Sequence, residues 1–252
     1  MKSLRPILEK RVAVGMCSMY PAAGIIERIG GEWDWVWIDT QHGQHDYRSV
    51  LDCVRACDIV GVSAIVRVPG HDYGDIGRAL DTHAAGVMVP MVNSAEEARQ
   101  AVMAAKFAPL GGRSYGGRRP IDLGGRAYSH TANEDTLLIA QIETGEAVEN
   151  VDEIAAVPGV DALFYGPDDR ATELGMPMDA ARKPDTFIDD YRRVAAAVQE
   201  HGKFVGTPAA SPEQIQLVVR LGFRLLICTG DVPLLASGST AARKTAGTAL
   251  EK

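Results

Sequence analysis

Eight short apolar runs, several rich in β-branched residues, punctuate the chain at 12–18, 35–40, 64–69, 86–92, 137–144, 162–167, 203–208 and 223–229. Several are continuous rather than alternating, the pattern of parallel strands covered on both faces. The gaps leave room for crossover helices, and helical patterns fill six of them, over 46–58, 73–83, 95–106, 146–156, 186–201 and 212–221. Asp46, Ser94 and Ser211 stand where N-caps belong. Strand and helix alternating to the end predict an α/β protein, a single (β/α)8 TIM barrel over residues 1–252. An open doubly wound sheet is the alternative, but the Gly-rich nucleotide fingerprint that would favour it is missing after the first run. Residues 109–133 break the spacing. This Gly- and Arg-rich stretch (GGRSYGGRRPIDLGGRAYSH) is too long for an ordinary loop and reads as a lid or a subunit contact.

In such a barrel the chemistry sits where strands end, so the residues closing each run carry the functional argument. The second run ends in Asp39-Thr40-Gln41-His42, the third carries Arg67, the fifth Gln141 and Glu143, and the sixth leads into Asp168-Asp169. A carboxylate inside the apolar run LLIAQIET is costly unless it is paired or bound to metal. Glu143 with Asp169 makes a two-carboxylate set suited to a hard divalent ion such as Mg²⁺ or Mn²⁺, with Co²⁺ or Zn²⁺ also able to enter. The same spacing equally describes two carboxylates bridged to barrel arginines. Arg67 offers a planar fork for a carboxylate or a developing enolate oxygen, or else a structural partner for Glu143 or Asp39. His42, three residues after Asp39, reads as a general base. The cluster Asp39, His42, His45 could instead be a transition-metal site, although Asp46 beside it reads as a helix cap.

Composition narrows the partners. With 46% hydrophobic and 23% charged residues the chain is an ordinary globular protein, and a net charge of −7 argues against a general nucleic-acid binder. No run approaches a membrane span, and the first residues lack a signal-peptide core, which predicts a cytoplasmic protein without membrane attachment. Cys17, Cys53, Cys57 and Cys228 form no paired knuckles and read as structural. Arg113, Arg118, Arg119 and Arg126 in the long stretch read as solvated or interfacial, and GGRSYGG lacks the Gly-Lys-Ser/Thr end of a P-loop.

Several motifs in register resemble the metal-dependent (class II) 2-oxo-acid aldolases of the HpcH/HpaI type, the family that includes 4-hydroxy-2-oxoheptanedioate aldolase and 2-dehydro-3-deoxyglucarate aldolase. The similar segments are WDWVWIDTQHGQHD, IVRVP, GVMVPMV, PLGGRSYG, AQIET, VPGVDALFYGPDD and TGDVPLL, and they run nearly end to end. The resemblance implies a pyruvate-kinase-like barrel, usually a homo-oligomer and commonly a hexamer. It implies that Glu143 and Asp169 bind the metal, which chelates the carboxylate and oxo group of pyruvate. Arg67 would stabilise the enolate beside Gln141, His42 oriented by Asp39 would act as base, and the amides of Asp168 and Asp169 would hold the substrate carboxylate. Asp81 matches an aspartate that approaches a neighbouring subunit's site. Two departures stand out: Thr40-Gln41 where the family has Gly-Glu, and Arg170-Ala171 where it has Leu-Ser.

The activity this implies is that of a lyase, cleaving or forming 4-hydroxy-2-oxo acids from a pyruvate enolate and an aldehyde. A Schiff-base route is not expected, because no strand end presents a lysine and Lys203 opens its strand at the opposite rim. The rivals are an acyl-CoA lyase of the malyl- or citramalyl-CoA type, which would need a basic channel such as Arg118 and Arg119, and a non-catalytic barrel that binds a 2-oxo acid.

Overall fold

Alternation within the second strand sorts the molecule into inside and outside. In β2 (Trp35–Asp39), Trp35, Trp37 and Asp39 point into the barrel, while Val36 and Ile38 pack under the helices. The other strands follow: β1 (Ala13–Ser18), β3 (Ser63–Arg67), β4 (Gly86–Val89), β5 (Leu137–Ile142), β6 (Ala162–Tyr165), β7 (Phe204–Pro208) and β8 (Leu225–Gly230). All neighbours pair in parallel, in sequence order, and β8 closes onto β1. The predicted (β/α)8 barrel is thus present in this computed structural model, which describes residues 1–183 and 185–250; the rest of the expected 1–252 span lies outside the described residues.

Two apolar layers hold it together. The larger lies between sheet and helices, and the smaller fills the barrel with Trp35, Trp37, Ile65, Met88, Ile139 and Phe164. Trp37 meets Phe164 edge to face, with centroids 5.2 Å apart. Indoles of this size fit only because a neighbour gives way: a Cβ on Gly15 would lie 2.5 Å from Nε1 of Trp35. Leu4 and Leu8, flanking and ending the short helix Arg5–Leu8, plug the N-terminal mouth.

The six expected helices are present, with the fourth broken into Gly145–Glu149 and Val151–Ala155. Their caps are as expected. Asp46 and Ser49 form a capping box ahead of Tyr47–Val60, Ser211 and Gln214 another ahead of Pro212–Arg220, and Ser94 accepts from the amide of Glu97. Several helices escaped the pattern, among them one after β1 and one after β8. Ala23–Ile29 is only seven residues long, and Asp231–Leu250 has too weak an apolar stripe, being largely Ala, Gly, Ser and Thr. Beyond Asp231 no residue of that last helix is buried.

The long stretch at 109–133 is not a lid. It links the C-terminal end of the helix Ala95–Ala105 to the start of β5, and so runs across the N-terminal face, opposite the strand ends. It is folded, with a helix at Arg118–Gly124 and a 3₁₀ turn at Arg126–His130. Tyr73 secures its start, donating from the hydroxyl to the carbonyl of Gly112 at 2.8 Å and accepting from the amide of Ser114 at 2.7 Å.

Candidate active site

The inward alternation that fills the barrel with tryptophans ends, one layer higher, in polar groups. Asp39 and Arg67 are direct partners in the β2–β3 register. The guanidinium donates from Nε to Oδ1 at 2.9 Å and from Nη2 to Oδ2 at 2.6 Å, and it lies over Trp37 with Cζ 4.5 Å from the ring centroid. Both groups are buried. The third nitrogen reaches only a 3.5 Å contact with Oε1 of Gln141, so the fork is fixed on one side and open on the other. Of the two readings of Arg67, the partner of Asp39 is observed, and the open edge keeps the anion-binding reading.

Gln141 and Glu143 continue the inward face of β5. The Gln141 amide donates to one Glu143 oxygen, and the amide of Met91 donates to the other at 2.8 Å. Met91 holds φ at 54°, a left-handed conformation that a methionine rarely adopts and that aims its N–H at the carboxylate. Asp169 is the like charge acting on Glu143. Burial, with the adjacent Asp169 charge adding to it, pushes the Glu143 carboxyl up to about 7. Gly166 makes the room: a Cβ there would sit 2.7 Å from Oε2 of Glu143 and 3.2 Å from Nε2 of Gln141. A buried Glu143 carboxylate beside an exposed Asp169 carboxylate that repels it fits a hard divalent cation, which relieves the repulsion that otherwise favours a proton. The pairing of either carboxylate with a barrel arginine, the competing expectation, is not found for Glu143 or Asp169 among the described residues.

His42 lines the same cavity from the turn after β2 and is exposed. Its relation to Asp39 differs from the expected one. Asp39 Oδ1 accepts from the backbone amides of Gln41 and His42, at 3.0 and 3.3 Å, and its remaining capacity goes to Arg67, so it sets the turn and not the imidazole. Gly43 allows that turn, since a Cβ there would lie 2.1 Å from the Asp39 carbonyl oxygen. The alternative metal cluster is not assembled: His45 turns its Nε2 to the carbonyl of Ser18 at 3.1 Å, and Asp46 caps its helix.

Asp168 and Asp169 open the helix Pro167–Glu173 and both line the cavity, but the Asp168 carboxylate is bound by Arg182. Arg170, one of the two departures, faces away and pairs with Glu173 at 2.7 Å and Asp190 at 3.2 Å. Gln41 does not line the cavity. Asp81 is not brought to the site within this chain: it ends the helix Tyr73–Asp81 on the opposite face and meets Arg113 at 3.2 Å. Arg118 and Arg119 belong to that face as well, paired with Asp122 and Asp58, so they form no channel into this cavity. Lys203 donates to the carbonyl of Val160 at 2.9 Å, away from the strand ends as expected.

The cavity measures about 570 Å³, and its second half was not anticipated. Cys17, Met19, Met178, Pro208, Ile227 and Pro233 contribute an apolar wall, with Arg182 at its edge. Cys17, Pro208 and Ile227 lie on strands at positions the period-two rule could have flagged. Arg182 sits in an irregular segment with no such signal.

A closed (β/α)8 barrel with a carboxylate pair, a fixed arginine and a histidine at its C-terminal rim defines a barrel enzyme of the carbon–carbon lyase kind. Residues 23–225 match the family described as HpcH/HpaI aldolase/citrate lyase, and the chain belongs to that family. It is 34% identical over 229 residues to the 2-dehydro-3,6-dideoxy-6-sulfogluconate aldolase of Pseudomonas putida, covering 89% of this chain and 88% of the relative. It is 46% identical over 149 residues to a 4-hydroxy-2-oxovalerate aldolase of Novosphingobium aromaticivorans, a match spanning 58% of this chain and 57% of that protein. A solved HpcH/HpaI aldolase/citrate lyase family protein from Burkholderia cenocepacia J2315 superposes with a TM-score of 0.88 at 31% identity, covering 98% of this chain and 99% of its own. The protein is an aldolase of this family.

Proposed function

We propose that the chain is a divalent-metal-dependent aldolase that forms or cleaves 4-hydroxy-2-oxo acids through a pyruvate enolate and an aldehyde. The observation that carries this reading is the buried Glu143 carboxylate beside Asp169, which lines one cavity with the open edge of Arg67. Glu143 and Asp169 would hold Mg²⁺ or Mn²⁺, which supplies Lewis acidity to the oxo group when bound. Arg67, locked by Asp39 and stacked on Trp37, places positive charge where the enolate oxygen develops. Gln141 positions Arg67 and Glu143 together. His42 takes the proton from the pyruvate methyl group, and the backbone at Asp168 and Asp169 receives the substrate carboxylate. We read the assembly as a homo-oligomer, supported by a 20-residue terminal helix with no buried residue after Asp231, and place Asp81 with Arg113 at a neighbouring subunit. Four free cysteines suit the cytoplasm, and among the described residues no helix is long and apolar enough to cross a membrane.

Titration with Mn²⁺ tests the ligand set directly. Glu143→Ala should abolish binding, and Gly166→Ala should weaken it by on the order of tenfold or more, since the added carbon displaces the Glu143 carboxylate. Undiminished Mn²⁺ binding by a folded Glu143→Ala protein would refute the assignment.

A further inference from the structure

Every cation lining the cavity is already committed. Arg67 is bound through two nitrogens to Asp39. Arg182 is bound the same way to Asp168, with Nε 2.6 Å from Oδ1 and a second contact from Nη2 to Oδ2. Among the described residues no other lysine or arginine lines the space. Arg182 is also held by its backbone: its carbonyl accepts from the side chain of Gln214, a buried residue of the capping box that opens the helix Pro212–Arg220. The guanidinium therefore cannot swing far toward an incoming group without leaving Asp168.

Counting charge separates the two halves of the reaction. A divalent ion balances Glu143 and Asp169, the two ion pairs balance themselves, and His42 is neutral when it acts as a base. Bound pyruvate then leaves the loaded site negative. An acceptor entering along Met19, Met178, Pro208, Ile227 and Pro233 meets apolar side chains and the outer edge of the Arg182–Asp168 pair. A second carboxylate would face the pyruvate charge and the Asp168 carboxylate without a free cation to receive it.

Resting on the aldolase reading above, we propose that the acceptor aldehyde of this chain is uncharged with an apolar substituent, and that the Arg182–Asp168 pair at the cavity mouth rejects an acidic one. In the synthetic direction the methyl group of pyruvate gives a proton to His42. The enolate carbon then bonds to the aldehyde carbon, and the aldehyde oxygen takes a proton to become the 4-hydroxyl group. The substituent of the aldehyde remains outside that chemistry, against the apolar wall. Arg182 is thus a specificity residue and does not touch the reacting atoms.

The test compares two acceptors of equal chain length, butanal and 4-oxobutanoate, with pyruvate and Mg²⁺. Wild-type protein should favour butanal in kcat/KM by roughly tenfold or more, a modest factor because the pair is partly exposed. Asp168→Asn releases Arg182 and should shift the ratio toward 4-oxobutanoate by about tenfold, whereas Arg182→Gln leaves Asp168 unpaired and should shift it further toward butanal. A wild-type preference for 4-oxobutanoate, or a ratio that neither substitution moves, overturns the proposal. Deuterium exchange into the methyl group of pyruvate, measured without aldehyde on each protein, keeps the two levels apart. Absence of exchange in wild type would refute the aldolase reading itself, while exchange with a preference for the acidic acceptor would refute only the specificity. Where a variant loses exchange, the wild-type ratio decides alone.

Discussion

Asp39 and Arg67 face each other across β2 and β3, joined through both carboxylate oxygens at 2.9 and 2.6 Å and almost wholly shielded from water. The strand register makes the pair, because both residues fall on the inward face one step above the tryptophan layer. Its cost of burial is offset by the bidentate geometry, by the Gln41 and His42 amides on Asp39, and by the Trp37 ring beneath Arg67.

Replacing Arg67 by lysine should therefore cost activity more than stability. An ammonium cannot bind Asp39 bidentately and still present a donor to the cavity, so kcat/KM should fall by on the order of a hundredfold or more. Asp39→Ala, which strands a buried guanidinium, should also destabilise the fold by about 3 kcal/mol. Steady-state kinetics and thermal unfolding of both proteins check this, and near-wild-type turnover of Arg67→Lys would remove the arginine from the mechanism.

Lys106 gives the opposite prediction, a stability effect without a catalytic one. Its fully buried ammonium donates to the carbonyls of Asn133 and Thr136, at 2.9 and 2.8 Å, and to Asp161 at 2.7 Å. Asp161 in turn binds Arg5, so this one side chain fastens the end of the long connection and the N-terminal helix beneath β5 and β6. Lys106→Met should lower stability by about 3 kcal/mol, roughly 10 °C in Tm, because it leaves Asp161 and two carbonyls short of a donor. Activity well below the transition should be retained, since the site lies at the other end of the barrel.

Stability should also fall on acidification through a histidine outside the site. Burial, reinforced by the N-terminal ammonium, Arg119 and Arg113, lowers the His83 pKa to about 4. The unfolded chain takes up this proton near 6.5 and the folded chain does not until about 4, so the contribution is fully present above 6.5 and is lost as pH falls from there toward 4. After discounting for partial exposure the loss is on the order of 1–2 kcal/mol. His83 also sits at φ 67°, which asparagine tolerates. His83→Asn should flatten the stability profile between pH 6.5 and 4, as read from urea midpoints; an unchanged slope would assign the effect to other groups.

The barrel was legible because parallel strands buried on both faces leave continuous apolar runs, and all eight were found within three residues of their ends. The site was legible where a polar residue closes such a run, as Asp39, Arg67, Gln141 and Glu143 do. The partner choices were not. Spacing could not say that Asp39 binds Arg67 and holds only the backbone of His42, because strand register and turn shape decide that. The last helix was missed because its face is not buried in this chain, so it carries no stripe to detect. Arg182 depends on an irregular segment fixed by Gln214 from a later helix, a contact with no local signature. The 109–133 stretch stands out in the sequence by its length and its Gly and Arg content, but which face it occupies follows only from its place between a helix and the next strand.

Every step proposed for this cavity depends on forming a pyruvate enolate beside a metal held by Glu143 and Asp169. The most direct measurement is proton NMR of pyruvate in deuterium oxide, following loss of the methyl signal with Mg²⁺ or Mn²⁺ and then with chelator. Exchange should require metal, disappear in Glu143→Ala and slow sharply in His42→Ala. No exchange with either metal, or undiminished exchange in Glu143→Ala, would contradict it.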